Sequence, residues 1–272
     1  MYSAGYNDLP DRAPMRSFKC LLTAWLLLLF AGSATAQAVA TVAAASDLKF
    51  ALDEIAQAYQ RQTGTRIRIA YGSSGNFFRQ IGQDAPFELF LSADEAFVLR
   101  LAEQSLTVDR GALYAVGRIV IFVPTGSPLQ AASALDDVGR ALADGRLRRF
   151  AIAHPEHAPY GRAAMQALRT LRLWDRIQPA LVLGENVAQA AQFAASGSAQ
   201  AGIFAYSLAL APAFAKAGSF ELIPEALHEP LRQRMVLTRK AGTAARAFYA
   251  HLQQPAARST FRRHGFTLPG EG

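Results

Sequence analysis

Thr41-Val42-Ala43-Ala44-Ala45-Ser46-Asp47-Leu48 runs from small and apolar residues into a serine, and an amphipathic pattern follows at once. Leu48, Leu52, Ile55, Ala56 and Tyr59 recur at the spacing of a helix with one buried face. A strand, a tight turn and a helix start therefore meet at Ser46. The first N–H groups of a helix have no partner inside it, and the helix dipole adds positive character there. A hydroxyl at that place suits an anion.

The same grammar continues outward. Residues 66–71 largely alternate, with Arg66 and Arg68 on the outer face, as expected of an edge strand. Gly72-Ser73-Ser74-Gly75 breaks that strand, and a short helix runs from 76 to 81. Residues 87–91 read as a third strand, with Ser92 or Asp94 capping a helix that carries Phe97, Val98 and Leu101. Strands and helices joined by short links make a parallel α/β unit, in which ligands sit beyond the carboxyl ends of the strands. Ser46 and Ser74 both lie there. Taken alone, each serine reads as an N-cap worth about 1 kcal/mol. A cap whose hydroxyl faces a cleft also holds an anion, so the two readings are compatible.

Residues 119–123 form a β-branched run that reads as a strand crossing into a second lobe. Strands at 150–153, 181–183 and 201–204 alternate there with helices at 162–171 and 187–195, and a further helix spans 135–142. The chain returns through 235–237 and ends in two helices, 244–252 and 255–263. This divides it into a first lobe of 37–118 and 239–272 and a second lobe of 119–238.

The chain has 272 residues, 51% of them hydrophobic, which is ample for two lobes of ordinary size. Arg16 and Lys19 precede an apolar run at 20–31, and Gly32-Ser33-Ala34-Thr35-Ala36 offers a cleavage site before Gln37. That is the pattern of a secretory signal peptide over 1–36, with Met15 as an alternative start. The run falls short of the ~18–20 residues that span a bilayer. The one cysteine, Cys20, leaves with the signal, so the mature chain forms no disulfide and no thiolate metal site. The net charge is +7, and +6 from residue 37 onward. The basic residues are scattered and not interleaved with aromatics, which speaks against nucleic acid. His154 and His157 flank Pro155 without a carboxylate cluster and make a poor metal pair. There is neither a Gly-x-Ser-x-Gly elbow nor a phosphate loop.

Six stretches occur in order: Ala43-Ala44-Ala45-Ser46, Tyr71-Gly72-Ser73-Ser74-Gly75, Leu91-Ser92-Ala93-Asp94-Glu95, His154-Pro155-Glu156-His157-Ala158-Pro159-Tyr160-Gly161, Leu181-Val182-Leu183-Gly184-Glu185-Asn186-Val187 and Phe261-Arg262-Arg263-His264-Gly265-Phe266. Together they resemble the periplasmic molybdate-binding proteins of bacterial ABC importers, over essentially all of the chain after residue 36. The resemblance implies a two-lobed type II periplasmic binding protein, each lobe a mostly parallel sheet flanked by helices, joined by crossing strands. It implies a monomeric periplasmic receptor, not an enzyme. Such a receptor takes molybdate and tungstate and hands them to a membrane permease and its ATPase, with no cofactor and no nucleic acid.

Carried over by position, Ser46 and Ser74 would each give a hydroxyl and an N–H to the oxyanion, and Tyr160 and Val187 would give N–H groups. The anion would be held through its oxygens, with no residue ligating the metal. Asp47 is a further candidate. Three positions depart from the family pattern. Ala205 stands where a tyrosine hydroxyl is common, with Tyr206 beside it expected on the other face. Tyr160 replaces a small residue and brings a phenol that can reach the cleft. Asp47 replaces an apolar residue, and its carboxylate repels a dianion unless turned away or hydrogen-bonded. The alternatives are a receptor for sulfate or phosphate, and a secreted serine hydrolase using Ser46 or Ser74, which requires a histidine within reach.

Overall fold

The computed structural model describes residues 1–2, 39–130 and 134–270. The apolar run, Cys20 and the cleavage site of the expected signal peptide lie outside the described residues. No described helix is long and apolar enough to cross a membrane.

Strand β1 (Ala40–Ala45) runs into a 3-10 turn, Ser46–Leu48, and then into helix α1 (Lys49–Thr63). Leu52, Ile55 and Tyr59 give α1 its buried face. The helix stops at Gly64, whose φ of 73° is left-handed and whose N–H closes on the Gln60 carbonyl at 2.9 Å. A residue with a Cβ is disfavoured there by about 1–2 kcal/mol. Then come β2 (Ile67–Gly72), α2 (Ser74–Gly82), β3 (Leu89–Ser92), α3 (Glu95–Glu103) and β4 (Ala112–Gly117). Asp94 caps α3 by accepting from Ala96 N–H at 2.9 Å.

The next elements are β5 (Ile119–Pro124), α4 (Ala134–Ala143), β6 (Phe150–Ala153), α5 (Pro159–Thr170), the short α6 (Trp174–Ile177), β7 (Leu181–Gly184), α7 (Val187–Ala195) and β8 (Ala201–Ala205). They are followed by α8 (Tyr206–Ala209), α9 (Pro212–Ala217), β9 (Gly218–Leu222), β10 (Leu231–Leu237), α10 (Thr243–Leu252) and α11 (Pro255–Arg263).

The strands make two five-stranded sheets, ordered β2-β1-β3-β10-β4 and β7-β6-β8-β5-β9. In each, four strands run one way and the fourth in order, β10 or β5, runs against them. The expected mostly parallel two-lobed architecture is therefore present. β2 is an edge strand, as its exposed Arg68 requires. The chain leaves the first sheet at Gly117 and enters the second at Ile119, so one residue, Arg118, makes the crossing.

The return crossing differs from the expected boundary. Placing all of 119–238 in the second lobe assigned residues 231–237 to it. β10 pairs instead with β3 and β4 in the first sheet. Two strands, β4 and β9, had no counterpart in the reading of the sequence. The sequence of β4 is small-residue rich, and β9 is an exposed edge.

Each sheet has its own core. Helices α1, α10 and α11 pack Leu52, Phe248 and Phe261 on the first. Phe122, Phe150 and Phe204 centre the second. Phe204 is fully buried, with rings of Phe122 and Phe214 at 5.3 and 5.7 Å. Phe204→Ala should cost about 3–5 kcal/mol. Thermal unfolding should show this as a fall of roughly 6–20 °C.

Candidate functional site

The carboxyl ends of both sheets face one narrow cleft. It is lined by Ala45, Ser46 and Asp47 after β1, Gly72, Ser73 and Ser74 after β2, Ala93 after β3, Ala158, Pro159 and Tyr160 at the start of α5, and Val187 at the start of α7. The four expected donors, Ser46, Ser74, Tyr160 and Val187, are thus brought together, two from each lobe. Asp47 is the one charged residue among those lining it. A wider groove lies beside Arg162 and Arg232, but these arginines are already paired with Asp94 and Glu95.

Neither serine caps its own helix, which corrects the cap reading. Ser46 opens the 3-10 turn after Ala45, without a capping hydrogen bond. Its hydroxyl donates to Asn186 Oδ1 across the cleft at 3.1 Å and accepts from Ala188 N–H at 3.2 Å. Ser74 is the first residue of α2, behind Ser73. Its oxygen accepts from Ala93 N–H at 2.9 Å. Its hydrogen has no acceptor among the described residues and is free for an incoming oxygen.

The second lobe leaves complementary groups open. Asn186 caps α7 by taking the N–H groups of Ala188 and Gln189, both at 3.1 Å. The N–H of Val187, the first helical residue, is outside that cap. At α5 the cap is Ala158, without a side-chain acceptor, and Pro159 has no N–H, so Tyr160 supplies the first free donor.

Asp47 and Tyr160 explain each other. The Tyr160 hydroxyl donates to Asp47 Oδ2 at 2.9 Å, and Gln233 Nε2 donates to the same oxygen at 2.7 Å. Tyr114 donates to Gln233 Oε1 at 2.7 Å, and Ser207 donates to the Asp47 carbonyl at 2.8 Å. Burial pushes the Asp47 carboxyl up to about 6, against the hydrogen bonds from Gln233 and Tyr160. Burial, with the Asp47 charge second, holds the Tyr160 hydroxyl well above its ordinary range. Tyr160→Phe removes one of two donors to a buried oxygen. The expected loss is about 1–3 kcal/mol at pH 7. It is smaller at pH 5, below the Asp47 value of about 6, where the acid is neutral. Melting curves of the variant at the two pH values check this.

Other bonds hold the lobes closed. Gly75 N–H donates to the His157 carbonyl at 2.9 Å. His157 Nδ1 lies 3.1 Å from Ser73 Oγ, and Asn76 donates to Glu185. His157 Nε2 is 3.6 Å from the Glu185 carboxylate, whose side chain is 61% exposed. That is too long for a hydrogen bond orienting a catalytic base. Ser46 and Ser74, the nucleophiles a hydrolase reading names, have no histidine partner. His154 and His157 stack with ring centroids 4.8 Å apart, and no metal-holding cluster occurs among the described residues.

Ala205 is fully buried at the end of β8. The Tyr206 ring packs on Phe220 at 5.6 Å and is not among the residues lining the cleft. The sequence reading did not pick out Asn186 or Gln233 as site residues. Asn186 was legible as an N-cap, being an asparagine directly before an apolar helix. Gln233 carried a fainter signal, a polar residue in the inward register of Leu231 and Met235.

These features define a two-lobed receptor for a small anion, and the comparisons agree with that class. The family of bacterial extracellular solute-binding proteins matches residues 40–267, and this chain belongs to it. Particular relatives are more telling. The molybdate-binding protein ModA of Rhodobacter capsulatus is 35% identical over 216 residues, covering 78% of this chain and 82% of the relative. ModA of Azotobacter vinelandii is 34% identical over 230 residues, covering 84% and 89%. The solved periplasmic molybdate-binding protein of Azotobacter vinelandii superposes with a TM-score of 0.76 at 30% identity, covering 85% of this chain and 99% of that one.

Proposed function

We propose that this chain binds molybdate, and tungstate with it, as the periplasmic receptor of an ABC importer. It would be exported by the signal peptide at 1–36 and act as a monomer, without a cofactor. It would deliver its ligand to a membrane permease and ATPase. Ser46, Ser74, Tyr160 and Val187 would hold the anion through its oxygens, and Asp47 would border it.

One observation carries the reading: hydroxyls and helix-start N–H groups from both lobes line a single cleft that no basic side chain enters. Helix N-termini and neutral donors stabilise a tetrahedral dianion without a countercharge. Each hydrogen bond to a charged group is worth about 1.5–3 kcal/mol. The molybdate-binding relatives named above support the choice of anion. Sulfate and phosphate are the competing oxyanions. Hydrogen phosphate brings its own O–H, and among these neutral donors the one charged acceptor lining the cleft is Asp47. The hydrolase alternative lacks its required histidine at Ser46 and Ser74.

Titration calorimetry with molybdate, tungstate, sulfate and phosphate in parallel tests the assignment. Molybdate and tungstate should bind with micromolar or tighter constants, and sulfate and phosphate at least about a hundredfold more weakly, a gap of ~2.7 kcal/mol. Preference for sulfate or phosphate would replace the ligand. Failure of all four would remove the oxyanion reading.

A further inference from the structure

Asp47 is a carboxylate in a cleft otherwise lined by neutral groups. It is 1% exposed. Oδ2 is fully engaged by Tyr160 and Gln233, but Oδ1 has no aligned hydrogen-bond donor among the described residues. The nearby N–H groups of Asp47 and Leu48 give it only partial support.

No cation among the described residues faces it from a packed element. Helix α7 carries no titratable side chain. In α8, Ser207 meets only the Asp47 carbonyl, and Tyr206 turns onto Phe220. Lys49 of α1 is at the surface with Asp53, at 3.0 Å. Arg162 of α5 is held by Asp94, and Arg232 and Arg234 of β10 by Glu95. Tyr160 and Tyr114 stay neutral, because burial and the Asp47 charge hold both hydroxyls well above their ordinary range.

We propose that anion capture by this chain is proton-coupled: Asp47 enters the closed, occupied cleft as the neutral acid, and one proton is taken up with each oxyanion. The inference rests on the oxyanion reading of the cleft. An ionised carboxylate and a dianion sharing a water-poor cleft repel each other strongly. Protonation removes the repulsion and turns Asp47 into a hydrogen-bond donor. The balance is one solvent proton gained by the carboxylate, with no bond made or broken in the anion. Ser46 and Ser74 meet anion oxygens and ligate no metal.

Burial already lifts the Asp47 carboxyl from 3.8 to about 6, and a neighbouring dianion raises it further. The sign follows. The raised acid favours the folded chain most fully below about 3.8, and that advantage is lost as pH rises through 6 and, with anion bound, above it. Within the window between the free and occupied values, affinity falls about tenfold per pH unit.

The test is calorimetry of the native chain with molybdate at pH 7, in two buffers of different protonation heat. Repeat titrations at pH 6 and 8 complete it, with Asp47→Asn beside the native chain. Expected are close to one proton taken up per molybdate and affinity about fivefold tighter at pH 6 than at pH 7, because the free carboxyl is already half protonated at about 6. In Asp47→Asn the uptake disappears, affinity is nearly independent of pH, and binding at pH 8 is tighter than in the native chain. Tight molybdate binding without proton uptake overturns the proposal and leaves the functional reading intact. Equal uptake in Asp47→Asn also overturns it, by placing the proton elsewhere. If Asp47→Asn does not fold, the native buffer series decides alone. Absence of molybdate binding by the native chain removes the oxyanion reading and this proposal with it.

Discussion

Ser46→Ala combined with Ser74→Ala should lower molybdate affinity by roughly 10²–10⁴, because each lost hydroxyl removes about 1.5–3 kcal/mol of charge-assisted bonding. The two hydroxyls share the anion as a partner, so a double-mutant cycle should show coupling between them. Stability should change much less. Ser46 gives up bonds to Asn186 and Ala188 N–H, but Asn186 still accepts from that N–H. Ser74 gives up one bond from Ala93 N–H. Calorimetry and thermal unfolding of the same sample separate the two quantities. Native affinity in the double variant would remove both serines from the site.

Gly161→Ala should be the most damaging single change near the cleft. A Cβ at Gly161 would sit 2.1 Å from the Ala153 carbonyl oxygen and 2.6 Å from its carbon. Those are backbone atoms at the end of β6, so no side-chain rotation relieves the clash. Helix α5 must back away from the sheet. That withdraws the Tyr160 N–H from the cleft and its hydroxyl from Asp47. Overpacking of this kind costs about 1–3 kcal/mol or more, a melting shift of several degrees. Molybdate affinity should fall at least about tenfold, or ~1.4 kcal/mol, with it. Gly82→Ala is the informative companion. Its Cβ meets nothing within 4 Å, and it lies in the last turn of α2. It should be neutral or stabilising by up to about 1 kcal/mol. If Gly161→Ala melts and binds like the native chain, the close seating of α5 on β6 does not position the site.

The sequence carried the elements with strong periodicity or sharp punctuation. Helix α1 was legible from Leu48, Leu52, Ile55 and Tyr59, and the edge position of β2 from its outward arginines. The sites beyond strand ends were legible too, since a parallel α/β unit opens helices there whatever its loops contain. β4 and β9 were not, because Ala112, Ala115 and Gly117 dilute one and Glu221 breaks the apolar pattern of the other. The return crossing was misplaced for a related reason. A buried strand reads alike in either sheet, and only its pairing partners assign it.

Side-chain partners were the least legible part. Ser46 meets Asn186 at a separation of 140 residues, and Asp47 meets Gln233 at 186. Local pattern says nothing about such pairs. The sequence could show that a carboxylate stood beside the candidate site and needed an explanation. The explanation lay in a tyrosine of the other lobe and a glutamine near the far end of the chain.

The position of β10 has a consequence for biogenesis. In its sheet β4 pairs with β10 alone, and β10 lies between β3 and β4. The sheet encoded first therefore cannot be completed until residues 231–237 have been made and delivered. The second sheet draws only on residues 119–222, an uninterrupted segment. During vectorial synthesis the middle of the chain can mature while the N-terminal lobe still presents β3 with an unpaired edge. Such an edge invites pairing with other chains. The lobe that begins the protein is the last to be sealed, and holding that edge apart is the task this topology sets for whatever escorts the chain.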